Sequence, residues 1–141
     1  MILKEHLNWS FTIVEPDGNI KTAGSRHVYD IEITVFDLWM NWKYEGIKVW
    51  QQMAQEWFGS LGTERVVVDF TGVEIQATEK MAFASAFVKY TSIHEDGKNL
   101  RSQQNRLSWV LQLKDNSWKV IHEHTSAPAD FNSMKVILQP N

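Results

Sequence analysis

Two imidazoles one residue apart, His122 and His124, are the side chains best able to do chemistry in this 141-residue sequence. Period-two alternation along a strand puts Trp118, Val120, His122, His124 and Ser126 on one face, with Lys119, Ile121, Glu123 and Thr125 on the other. The charged face is expected to be outer, which turns both histidines inward, where an imidazole can exchange a proton near neutral pH. The same pair can instead serve the fold, as hydrogen-bonded core residues anchoring a sheet. As a metal site it is incomplete, because a catalytic zinc uses three protein ligands and no third is fixed by spacing. Neither metal nor cofactor is expected. Ser126 lies two residues from His124 on the same face, pointing alongside it, and no Gly-x-Ser-x-Gly turn is present, so a nucleophilic triad is excluded.

Arg106 and Ser108 alternate to one side of the preceding strand, where a guanidinium can hold a ligand carboxylate in bidentate fashion or remain a solvated edge charge. Leu107, Trp109, Leu111 and Leu113 occupy the opposite side. If Arg106 and Ser108 point inward, that apolar row is outer surface, and a monomer rarely exposes so large a patch. A homodimer packed back to back through this row is therefore expected. No phosphate-binding loop, dinucleotide glycine pattern or paired-carboxylate signature occurs.

The elements that must position these residues are legible from period and punctuation. Ile47, Trp50, Ala54, Trp57 and Leu61 recur at three- and four-residue steps, predicting a helix between Gly46 and Gly62. Four β segments follow, Arg65 to Ala77, Met81 to Ile93, Leu100 to Lys114 and Ser117 to Ala127, joined by polar turn-forming stretches. Upstream, Val28 to Val35 reads as a strand. Leu7 to Ile13 alternates into the turn Glu15-Pro16-Asp17-Gly18, with Asn19 to Ala23 returning as a hairpin. One helix with a long antiparallel sheet gives an α+β class, the helix covering one face of a sheet curved into a cone, with a bulge expected at Gly72. Val136-Ile137-Leu138 makes the tail from Phe131 to Asn141 an edge strand or a strap.

Composition bounds the function. The length suits one domain over residues 1–141. A net charge of −3, from 14 Lys and Arg against 17 Asp and Glu, offers no basic footprint for nucleic acid. Without Cys there are no disulfides or thiolate nucleophiles. Lys4, Glu5 and His6 stand where a signal peptide needs an apolar core, and no segment approaches the roughly 18 apolar residues of a membrane span, so a cytoplasmic protein without membrane association is expected. Seven Trp supply bulk equally suited to a core or to a ligand-cavity wall.

The run from Asp115 to Pro128, with its turn, Trp118, the apolar pair Val120-Ile121, His122-x-His124 and Ser126 near Pro128, resembles the closing hairpin of SnoaL-like domains. These form a branch of the nuclear transport factor 2-like, ketosteroid isomerase-like superfamily. The run is also similar to the end of the association domain of calcium/calmodulin-dependent protein kinases. Tyr44-Glu45-Gly46 and Arg106-x-Ser108 fit the same pattern, so the resemblance spans Val28 to Asn141. It departs before that: family members open with one or two helices closing the cone, replaced here by a hairpin. The resemblance implies a pocket for a small apolar or aromatic molecule, either binding alone or with isomerase, cyclase or dehydratase-type acid-base chemistry, the alternative being a non-catalytic oligomerisation module. It puts Tyr29, Asp30 and Tyr44 at the pocket mouth, with Asp30 as a candidate general base beside His122 and His124. Trp50, Trp57, Arg106, Ser108, Trp118 and Ser126 complete the expected lining.

Overall fold

A computed structural model describes residues 12–14, 20–22 and 29–140. Its strands are β1 (Thr12–Val14), β2 (Ile20–Thr22), β3 (Tyr29–Phe36), β4 (Tyr44–Glu45), β5 (Arg65–Ala77), β6 (Met81–Ile93), β7 (Asn99–Lys114) and β8 (Ser117–Ser126), with one helix among the described residues, α1 (Ile47–Gly59). They form one open sheet in the order β2-β1-β5-β6-β7-β8-β3-β4. The hairpin expected near the N-terminus is present as β1 paired antiparallel with β2, while the stretch from Leu7 to Phe11 and the turn at 15–18 lie outside the described residues. The sheet is mixed rather than wholly antiparallel, because β3 joins β8 in parallel. A chain that returns through α1 and three long strands before reaching β8 can meet β3 in either direction, and local pattern does not fix which.

The curvature has identifiable causes. Gly72 sits at φ +60°, where the β5–β6 register shifts between Thr71 and Glu74, forming the expected bulge. A second irregularity falls in β8: Val110 pairs with His122 and Leu111 with Val120, so Ile121 is an extra residue on that strand. On the inner face Ala84 stands opposite Trp109. Ala82, Ala84 and Ala86, all buried, leave room on this face for the Trp109 indole. Asp115 and Asn116, both at positive φ, close the β7–β8 hairpin in a two-residue turn whose twist suits the strands.

Ile33, Val35, Val66, Val88, Leu107, Trp109, Leu111 and Val120 form the buried centre of the inner face, and Ile47, Trp50 and Met53 lay α1 against it, with Leu61 from the following turn. The row expected to face a partner subunit is thus core: Trp109 is 1 % exposed and Leu111 0 %. The apolar row of β7 outweighs Arg106 and Ser108, and burial goes to the side with more apolar area. Leu138 in the tail straps across β7, its carbonyl accepting from the Gln104 N–H at 2.7 Å. No helix among the described residues is long and apolar enough to cross a membrane.

Candidate functional site

Between α1 and the inner face of the sheet lies a cavity of about 940 Å³, at the upper end of the usual range for small-molecule pockets. Aromatic side chains from several elements make its walls: Tyr29 from β3, Tyr44 from β4, Trp50 and Trp57 from α1, Phe70 from β5, Tyr90 from β6 and Trp109 from β7. They pack on one another, Tyr29 against Trp50 with ring centroids 4.6 Å apart, Tyr29 edge-on to Trp109 at 5.9 Å, and Trp57 edge-on to Tyr90 at 6.2 Å. Such mutual packing leaves few rotamers open and holds the wall in shape.

Set into this wall is a carboxyl group. Glu123 on β8 is buried and lines the cavity. The Tyr29 hydroxyl donates to its Oε1 at 2.8 Å, as does Trp109 Nε1 at 2.8 Å. Both bonds fall on the same oxygen, and Oε2 has no hydrogen bond among the described residues. Burial raises the Glu123 carboxyl above the ordinary value of 4.5, against the lowering effect of its two donors, and the nearby Asp37 raises it further. Burial, reinforced by Glu123, likewise holds the Tyr29 hydroxyl well above 10. Tyr90 is also pushed up, again chiefly by burial.

A second polar cluster ties the wall to the loop after β3. Thr125 Oγ1 donates to Asp37 Oδ1 at 2.8 Å and accepts from the Leu38 N–H at 2.8 Å. This fixes the cavity-lining residues 37–41 against the end of β8. Asn105, also on the wall, carries a buried Oδ1 with no hydrogen-bond partner.

Tyr29, Tyr44, Trp50 and Trp57 therefore stand on the cavity wall, but most of the residues expected to do chemistry do not. His122 and His124 lie on the outer face, edge-on to the Phe36 ring at 4.8 and 5.7 Å. The cause is Ile121: one extra residue exchanges the faces of everything after it, so Glu123 and Thr125 turn in where His122 and His124 were expected. Burial lowers the His122 imidazole below 6.5, with His124 adding to the effect. Arg106 and Ser108 share the outer face, Arg106 Nε donating to Ser126 Oγ at 3.1 Å. Trp118 packs on the core away from the cavity. Asp30 is buried but outside the cavity, its Oδ1 3.2 Å from Lys114 Nζ and its Oδ2 accepting from the Glu32 N–H. Paired in this way it is spoken for structurally. Glu123, Asp37, Thr125 and Trp109 were missed. The available signal was Trp109 itself: the face holding Leu107, Trp109 and Leu111 had to be inner, and an inward indole N–H needs an acceptor on the neighbouring strand.

The sequence model of the SnoaL-like domain matches residues 25–130. No curated protein matches the sequence. Among solved structures, a nuclear transport factor 2-like protein of unknown function from Pseudomonas putida superposes with a TM-score of 0.69 at 21% identity, over 82% of this chain and 78% of that one. The association domain of the C. elegans calcium/calmodulin-dependent protein kinase II gives 0.56 at 18% identity, over 89% of each chain. A nuclear transport factor 2-like superfamily protein from Salmonella enterica gives 0.55 at 18% identity, over 76% and 77%. At these identities the likeness is one of fold.

Proposed function

The chain belongs to the SnoaL-like domain family, and from that premise we propose that residues 1–141 act as one small-molecule-binding domain whose cone takes a compact aromatic or apolar molecule. Glu123 meets the molecule's polar end. The observation that carries this reading is the cavity of about 940 Å³ walled by aromatic rings around one buried carboxyl group whose Oε2 is unengaged. An apolar enclosure with a few convergent polar groups is how ligand pockets are built. If the bound molecule is turned over, Glu123 with Tyr29 is the pair to do it, since a carboxyl held above its ordinary range beside a phenol can take or return a proton within the enclosure. That chemistry is of the isomerase or lyase kind. Asp30 and the two histidines have no access to it.

The test is a thermal-shift and tryptophan-fluorescence screen of the purified protein against small aromatic compounds, steroids and aromatic polyketides. A ligand at 100 times its Kd adds about 2.7 kcal/mol of stability, and Trp50→Ala, which opens the wall, is expected to remove the effect. Flat melting curves and unchanged emission across the panel would refute the reading.

A second reading concerns assembly and is compatible with the first. Phe36, Phe83 and Phe87 are exposed on the outer face of the sheet, with Met81 beside them, and the proposal is that two copies pack through this face. The interface once expected from the Leu107 row is thereby moved to the opposite side of the same sheet.

A further inference from the structure

The charge of the cavity wall is one-sided. Asp37 from the loop after β3, Glu56 from α1 and Glu123 from β8 all line it, and no Lys, Arg or His among the described residues does. The three come from separate elements, Glu123 buried and Glu56 exposed at the solvent side of the helix, so no single helix face or turn accounts for them. The remaining wall is aromatic, aliphatic and amide, and its aromatic rings present a negative face to anything stacked on them. An anion brought here would meet carboxylates and ring faces with no counter-charge.

The hydrogen-bond inventory leans the same way. Glu123 is 7 % exposed, and both its donors, Tyr29 and Trp109, are used on Oε1. Glu123 lines the cavity with no hydrogen bond to its Oε2 among the described residues, and Asn105 on the same wall holds a buried Oδ1 without a partner. A buried acceptor left unmatched is costly, and a buried carboxylate without a counter-ion more so. The wall thus offers two acceptor oxygens that no described residue is bonded to. What the described wall lacks is a positive group.

We propose that the molecule selected by this cavity is an organic cation, a protonated amine or quaternary ammonium on an aromatic or apolar body. This rests on the small-molecule reading above and gives that ligand its charge. The ammonium head sits at Glu123 Oε2, with the rings of Tyr29, Trp50 and Trp109 around it and Asp37 at longer range, while the body fills the rest of the enclosure toward Trp57. Cation–π attraction and a desolvated carboxylate act together on such a head.

Three probes of closely matched shape test this on the intact protein, each titrated against intrinsic tryptophan fluorescence: benzyltrimethylammonium, its uncharged carbon isostere neopentylbenzene, and phenylacetate. The expected result is that the cation binds at least about tenfold more tightly than either other probe, the ratio that a cation–π contact of about 1.4 kcal/mol provides. Glu123→Gln keeps the oxygen that accepts from Tyr29 and Trp109, and should bring the cation's affinity close to that of neopentylbenzene while leaving neopentylbenzene unaffected. Should that variant not fold, Asp37→Asn provides the second measurement, with a smaller loss confined to the cation. Equal or tighter binding of neopentylbenzene or phenylacetate overturns the cation assignment and leaves the pocket standing; no binding of any probe overturns both.

Discussion

Burial holds the Glu123 carboxyl above its ordinary value of 4.5, so the folded chain keeps a proton that the unfolded chain has already released. The sign follows from which state binds more protons. The contribution of this residue to stability is complete below the ordinary carboxylate value and is lost as pH rises from there through the raised one. Glu123→Gln retains the Oε1 acceptor for Tyr29 and Trp109 but cannot ionise. Urea unfolding at a series of pH values should show the wild type losing stability relative to the variant as pH rises through that window. Near neutral pH the variant should equal or exceed the wild type, by up to about 1–3 kcal/mol, the usual cost of a buried polar group not fully matched. Parallel curves across the window would mean that the carboxyl group is not desolvated as the structure has it.

At the scale of elements, two bulges shape the cone, and they differ in how far a sequence discloses them. Gly72 announces its own bulge, since a glycine inside a strand marks a place where the backbone must turn through positive φ. An added Cβ there would lie 3.0 Å from the Phe87 ring. Gly72→Ala should therefore cost about 1–2 kcal/mol from the left-handed backbone, plus the displacement of Phe87, lowering Tm by roughly 3–8 °C. Gly62→Ala, at φ +63° with nothing within 4 Å of its added Cβ, separates the two effects by showing the backbone cost alone. A Gly72→Ala loss no larger than that of Gly62→Ala would remove the Phe87 contact from the account. The Ile121 bulge carries no such mark, because a β-branched residue in a β-rich run reads as regular strand. The spans of β5 and β6, the core of α1 and the two-residue turn at Asp115-Asn116 were all legible, since period and turn chemistry are local. The inward set of β8 was not. Which of Val120 to Ser126 face the cavity depends on one unpaired residue, and register is a property of the paired strands together. For β7 the signal was present in the sequence, since burial follows the heavier apolar row.

At the scale of the molecule, the displaced residues acquire a different role. Phe83 at 48 % and Phe87 at 54 % exposure share the outer sheet face with Phe36, Arg106, His122 and His124. Exposed rings of this size, on β3 and β6 with the polar outer residues of β7 and β8 between them, are of the kind that monomers usually cover. A two-fold packing of this face on itself places it against an identical, self-complementary surface. His122 and His124 would then lie within the buried face, between Phe36 and the rings of β6. Burial depresses the His122 imidazole below 6.5, which favours the neutral ring that an apolar contact requires. Acidification through that lowered value charges His122 and should weaken the assembly. Multi-angle light scattering is expected to give twice the chain mass of 16.4 kDa near neutral pH and a falling average mass as the solution is acidified. Phe87→Glu, which sets a carboxylate within the patch, should give the single-chain mass at every pH without destabilising the free chain by more than about 0.5 kcal/mol, since a surface substitution disturbs little. An unchanged mass for Phe87→Glu would remove this face as the interface, whereas a single-chain mass for the wild type would show that the patch stays open to solvent.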